Sequence, residues 1–191
     1  MRRRRPGHGP HPGAGLTPGP GAGDEAAAEA GRTPTPWLDD DEQHAWRALV
    51  LGSELLFGRL NDELERRHGL TFTEYSILVR LSERDGRMRM AQLADALAHS
   101  RSRVTHTIKR MEGRQLVRRE DSPEDGRGVD AVMTEEGLAV LERTAPTHVR
   151  GVRRHLLDLA GPGEVAALGR VMDAVCDHLI AGHPEMEIRE G

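Results

Sequence analysis

The sequence predicts a mainly α fold with one small β-hairpin, and three observations carry that expectation. Long stretches toward either end, residues 37–69 and 135–182, repeat apolar side chains three and four positions apart, the spacing of one helix face. Between them, "MAQLADALAHS" and "RSRVTHTIKRMEGRQL" read as two short helices meeting at a tight turn. Beyond these, "QLVRR" and "VDAVMT" are β-type runs, and they make the polar stretch between them, "REDSPEDGRG", the turn of a hairpin.

Residues 1–36 are Pro, Gly and Ala with almost no large apolar side chain, so they cannot bury enough surface to offset the entropy of ordering and are expected to be disordered. The arginines of "MRRRR" run into Pro and Gly rather than an apolar segment, which is not the pattern of a signal peptide. No later stretch stays apolar for ~20 residues, so no membrane association and a cytoplasmic location are expected. The first helix is expected from Trp37 to Arg67, with acids at its start, Gly69 past its end, and a stripe of Trp46, Leu49, Leu56, Leu60 and Leu64 beside Val50 and Phe57.

The second helix is capped by Thr71 or Thr73, buries Tyr75, Ile77, Leu78 and Leu81, and stops at Gly86. "RMRM" is a candidate short strand. The third helix turns Leu93, Ala94 and Leu97 inward, His99-Ser100 forms the turn, and Val104, Ile108 and Met111 are the core stripe of the fourth. With a hairpin pairing Leu116–Glu120 and Val129–Met133, these elements make a winged helix-turn-helix with a two- to three-stranded wing.

A long helix then opens at Thr134 with Glu135 and Glu136, and Pro146 inside it is expected to kink or interrupt it near residues 142–146. The last helix starts at Pro162 and carries Val165, Leu168, Val171 or Met172, Val175 and Leu179 on one stripe. Terminal helices this apolar need a partner, and a second copy would bury both stripes at once, so a homodimer is expected. The chain thus divides into a tail (1–36), an N-terminal dimerisation helix (37–69), a winged helix-turn-helix (70–134), C-terminal dimerisation helices (135–182) and a flexible end (183–191).

Formal net charge is −4, yet residues 100–120 hold seven bases against two acids. A basic segment on an acidic chain marks a localised anion-binding face. With Val104 inward, Ser102, Thr105, His106 and Lys109 face outward, Arg103 and Arg110 flank them, and Arg101 and Ser102 stand at the N-terminus. In a groove-reading helix these first residues reach base edges, while hydroxyls and later cations take phosphates. Ser100 at the turn and Arg118 on the hairpin complete the candidate DNA-binding set.

At the hairpin tip, a calcium loop starting at Asp121 would put Asp125 fifth and Gly126 sixth, but also Pro123 third and Val132 twelfth, where a carboxylate is needed. The tip is instead a wing, in which Pro123 and Gly126 shape the turn, Gly128 returns to the strand, and Arg127 projects toward a minor groove. Asp125 supports Arg127 through an ion pair or backbone hydrogen bonds. A single cysteine excludes an internal disulfide and a cysteine zinc cluster, and the ten histidines show no metal spacing, although His148 and His155 would align on a regular helix. Nothing pairs a nucleophile with a base or cradles a phosphate, so neither an enzyme nor a cofactor is expected. A winged helix used for protein contacts is the alternative, but that use does not call for a basic outer face.

These residues resemble the MarR family of bacterial transcriptional regulators, over roughly residues 40–182. Its wing motif, Asp-x-Arg followed by a Val-x-Leu-Thr strand, stands here as Asp125-Gly126-Arg127 and Val129 to Thr134, with Met133 in the usual Leu place. The resemblance implies a homodimer on palindromic double-stranded operator DNA, usually a repressor released by a small anionic or phenolic effector, sometimes by thiol oxidation. It also implies a ligand pocket between the dimerisation helices and the DNA-binding lobe, with Trp46 and Tyr75 as candidate walls and Arg47 or His44 meeting an anion. Peroxide-sensing members carry a cysteine near the start of the first long helix. Here the cysteine is Cys176, on the last helix beside an apolar stripe, and a buried, inert thiol is expected.

Overall fold

The computed structural model describes residues 35–122 and 128–181. The tail, most of the hairpin tip with Asp125 and Arg127, and the C-terminal end lie outside the described residues. Helix α1 spans Asp40–His68 and starts three residues later than expected. The reason is the cap: Glu42 N–H donates to Asp39 Oδ1 at 2.8 Å and Asp39 N–H to Glu42 Oε2 at 2.9 Å, leaving Trp37 and Leu38 outside. Its C-terminal half packs inward through Leu60, Glu63 and Leu64, and Gly69, at φ 63°, ends it.

Helix α2 (Phe72–Ser82) is capped by Thr71, not Thr73. Thr71 Oγ1 accepts from Glu74 N–H, and the Glu74 carboxylate accepts in return from Thr71 N–H. Phe72 N–H donates to Asn61 Oδ1 at 2.9 Å, fastening the new helix to α1. Asp85 and Gly86, both at positive φ, turn the chain into strand β1 (Arg87–Arg89), which confirms "RMRM" as a strand over its first three residues. Helix α3 (Met90–Ala96) stops short of the predicted end, because Ala98 at φ 50° makes the turn. Helix α4 (Arg101–Gly113) follows, capped by Ser100.

Strands β2 (Val117–Asp121) and β3 (Val129–Met133) form the hairpin, with Val117 opposite Met133 and Asp121 opposite Val129. Strand β1 adds antiparallel to the other side of β3, Arg87 opposite Val132, so the sheet order is β1-β3-β2. The core lies between the short helices and this sheet. Leu64, Leu70, Ile77, Leu78, Leu81, Leu93, Val104, Ile108, Met111 and Ala131 are all fully buried there. Each large aliphatic side chain so buried contributes about 1.5–3 kcal/mol, and with few aromatics available the aliphatics supply nearly all of it.

Helix α5 (Glu135–His155) opens where Thr134 Oγ1 accepts from Gly137 N–H at 2.9 Å. The expected interruption at Pro146 does not occur, and α5 runs through it. Pro146 and Glu142 are exposed, while Leu141, Thr144, Thr147 and Gly151 hold the opposite face to the core. Gly151 permits close approach to α1, since a Cβ there would stand 2.8 Å from Leu60 Cδ2. After a 3₁₀ turn (Leu157–Leu159), helix α6 spans Pro162–Ile180 and buries no residue within the single chain.

Candidate nucleic-acid interface

The outer face of α4 is assembled by its cap and its core stripe together. Ser100 Oγ accepts from Arg103 N–H, and Val104, Thr107, Ile108 and Met111 are buried. That rotation leaves Arg101, Ser102, Arg103, Thr105, His106, Lys109 and Arg110 exposed, as the spacing predicts. The predicted members are not equivalent. Arg101, Arg103 and Lys109 make no ion pair with another described residue. Arg110 NH2 lies 3.7 Å from Glu74 Oε1, and Arg118 is bonded to Glu120. Thr105 donates its hydroxyl to Arg101 O at 2.8 Å, and the Ser100 hydroxyl is engaged as the cap.

The wing is cross-linked across its strands. Arg87 of β1 bonds Glu120 of β2 and reaches Asp130 Oδ2 of β3 at 3.2 Å, so one guanidinium ties all three strands. The Arg118 bond, followed by that of Arg87, holds the Glu120 carboxyl below the usual carboxylate range. Arg87 is pushed up by Glu120 and then by Asp130. At Gly128, where the chain re-enters the sheet, a Cβ would overlap the Arg89 guanidinium, the far end of a flexible side chain. The expectations for Arg127 and Asp125 fall on residues outside the described ones.

A second feature lies on the other side of α2. A cavity of about 440 Å³ is lined by Phe72, Tyr75, Ser76, Arg80, Leu97 and His148, among others. The Tyr75 and His148 rings are 4.6 Å apart, and Phe72 stands 5.8 Å from His148. Burial raises the Tyr75 phenol above its ordinary value and lowers the His148 imidazole, so both stay neutral near pH 7. His148 Nδ1 is buried without a hydrogen-bond partner. Of the two candidate ligand walls, Tyr75 lines this cavity, whereas Trp46 does not and is 58% exposed on α1. The regularity of α5 sets His148 and His155 on different neighbours, His148 against Tyr75 and His155 Nε2 3.1 Å from Glu63 Oε1. Among the described residues, no group of three His, Cys, Asp or Glu is placed to hold a metal.

Sequence reasoning missed His148 as a cavity wall, and it missed Glu74 and Arg87, because their partners lie tens of positions away in the chain or across a strand pairing. The thiol of Cys176 is exposed in the single chain, not buried as expected, because α6 buries none of its residues there. Trp46, Leu49, Leu51, Leu55 and Phe57 on α1, and Leu168, Val171, Val175 and Leu179 on α6, are exposed apolar side chains. No described helix is long and apolar enough to cross a membrane.

Comparison with known proteins agrees with this architecture. The model of the MarR family matches residues 68–128, from the end of α1 to the wing. Among curated relatives, the chain is 29% identical over 92 residues to the HTH-type transcriptional regulator MhqR of Bacillus subtilis, a match covering 47% of this chain and 63% of that protein. It is 28% identical over 138 residues to the HTH-type transcriptional regulator PecS of Dickeya dadantii, covering 69% and 82%. Among solved structures, AbsC, a MarR family transcriptional regulator from Streptomyces coelicolor, is 45% identical with a TM-score of 0.73, over 77% of this chain and 99% of that one. Sco3205, a MarR family transcriptional regulator from the same organism solved in complex with DNA, is 40% identical with a TM-score of 0.72, over 75% and 94%. Helix order, the β1-β3-β2 wing and identity across nearly the whole of a solved relative lead to one conclusion: the chain belongs to the MarR family of transcriptional regulators.

Proposed function

We propose that the protein is a homodimeric, sequence-specific regulator that binds palindromic double-stranded operator DNA, and that it represses until a small effector releases it. The observation that carries the DNA reading is the outer face of α4, where Arg101, Arg103 and Lys109 stand exposed without a counterion among the described residues. Cations left unpaired on a helix whose opposite face is buried in the core are available to phosphates and base edges. The first turn, with Ser102 and Arg103, reads bases, while Thr105, His106, Lys109, Arg110 and Arg118 bind the backbone. Arg127, supported by Asp125, enters the minor groove. That Sco3205 was solved with DNA, at 40% identity, supports the same use of this scaffold.

Dimerisation rests on the exposed apolar residues of α1 and α6, which a second copy would cover. The effector reading rests on the Tyr75 and His148 cavity, which offers two neutral hydrogen-bonding groups beside Arg80 and suits a phenol or a small aromatic acid. The test is a binding titration against upstream DNA at several salt concentrations. A salt-sensitive, saturable complex of one dimer per palindrome is expected, weakened by a cavity-binding aromatic acid such as salicylate. Binding that ignores salt or does not distinguish the palindrome from scrambled DNA refutes the proposal.

A further inference from the structure

Glu74 carries two tasks that the capping motif alone does not require. Its side chain is buried, with 5% exposed, and its carboxylate closes the reciprocal cap of α2 by accepting from Thr71 N–H at 3.0 Å. The same carboxylate faces the far end of α4. Arg114 NH1 lies 3.4 Å from Glu74 Oε2 and Arg110 NH2 3.7 Å from Oε1, although the arginine side chains themselves are 40% and 61% exposed. Arg110 and Arg114 are four residues apart at the end of the helix, a spacing at which like charges repel. Glu74 is the anion placed between them.

We propose that Glu74 is a positioning residue for operator recognition: it pins the C-terminal turn of α4 to the first turn of α2, and so fixes the angle at which Arg101 and Arg103 are presented. This rests on the reading of α4 as the groove-reading helix. The apolar stripe of Val104, Ile108 and Met111 holds α4 to the core without fixing its rotation sharply, because apolar contact is not directional. The hydrogen bond from Arg114 to the Glu74 carboxylate is directional, and Arg110 adds a second positive charge 3.7 Å from the same group. The tether also starts on the turn of α2 that presents Phe72, Tyr75 and Ser76 to the cavity, so any shift of that turn is passed to α4.

The sign of the effect separates positioning from plain electrostatics. Glu74 is an anion near the proposed phosphate-binding residues, so on charge alone its removal strengthens binding to every DNA. Positioning requires the reverse on the operator. The experiment measures fluorescence anisotropy of wild type, Glu74→Gln, Arg114→Met and Arg103→Ala on the palindrome the protein selects from a random duplex pool and on a scrambled duplex, across a salt series. Gln preserves the cap at this position, and thermal melts check folding. Glu74→Gln is expected to bind the operator about tenfold more weakly and the scrambled duplex no more weakly than wild type, with its salt slope unchanged because no cation was removed. Arg114→Met, at an exposed position outside the cap, lowers discrimination in the same way and serves if Glu74→Gln does not fold. Equal weakening of Arg114→Met on both duplexes marks Arg114 as a phosphate ligand and counts against the tether. Wild-type discrimination in Glu74→Gln, or in Arg114→Met, overturns the proposal while leaving α4 as the reading helix if Arg103→Ala loses discrimination. Wild-type discrimination in Arg103→Ala overturns the reading of α4 and the role of Glu74 with it.

Discussion

Replacing Arg103 with alanine isolates the charge of one side chain on the outer face of α4. Its backbone tasks survive the change: the N–H still donates to Ser100 Oγ and the carbonyl still accepts from Thr107 Oγ1 at 3.0 Å. Arg103 is exposed and forms no ion pair with a described residue, so neither burial nor an orphaned counterion complicates the result. Stability is expected to stay within about 0.5 kcal/mol of wild type. A base or phosphate interaction of this kind contributes ~1–3 kcal/mol per half-site, so a dimer loses ~2–6 kcal/mol, or roughly thirtyfold and upward in Kd. Removing one cation from each half-site lowers the salt slope by up to about 2 if both meet phosphates, at about 0.9 per phosphate. Arg118→Ala is the internal control. Arg118 already bonds Glu120, so its charge is partly spent within the wing and its loss costs less. Anisotropy titrations on operator and scrambled duplexes, beside thermal melts, measure all of this. An Arg103→Ala protein that melts normally and binds the operator within threefold of wild type, or better than Arg118→Ala, refutes the reasoning.

Three stability predictions follow from the packing. Gly137 lies at the third position of α5 against the wing root, where a Cβ would overlap the Leu116 carbonyl oxygen and stand 3.0 Å from Met133 Cγ. Gly137→Ala is therefore expected to destabilise by ~1–3 kcal/mol in urea melts despite the better helix propensity of alanine, and an equal or higher midpoint counts against this account. Gln115, just past α4, sits at φ 58°, a left-handed conformation costing an L-residue about 1–2 kcal/mol. Gln115→Gly should gain about 0.5–1 kcal/mol after the added freedom of the unfolded chain is subtracted, a rise of a few degrees in Tm that a lower Tm would contradict. The hydrogen bond from His155, with Arg59 and Arg154 nearby, holds the Glu63 carboxyl below its ordinary value of 4.5. A depressed folded-state pKa adds stability that is complete above the unfolded value and fades as pH falls through the folded one. Denaturant melts should thus show wild type losing more stability below pH 4.5 than His155→Ala, and parallel profiles would remove the pair from the explanation.

Much of the winged region was legible because its signals are local. Val104, Ile108 and Met111 are buried as their spacing requires, and the capping residues Ser100 and Thr134 act within a single turn. The hairpin strands were found from β-type flanks, and Val129–Met133 came out with the predicted ends. Of the two outcomes expected at Pro146, interruption is excluded, because α5 continues through it with Pro146 exposed and Leu141, Thr144 and Thr147 buried on the other face. Trp46 and Tyr75 looked alike as aromatic candidates, but only the burial of each side chain separates a cavity wall from an exposed face.

By itself, the sequence determined the order of elements and the outward basic face of α4. Both follow from periodicity and capping, which act over a few residues along one chain. Tertiary structure decided which of those cations are already paired. It set Glu74 between Arg110 and Arg114, put Arg87 across three strands, and brought His148 onto Tyr75. These interactions join residues far apart in sequence. Their geometry is fixed by how helices and strands pack, a collective outcome that no local pattern of residues records.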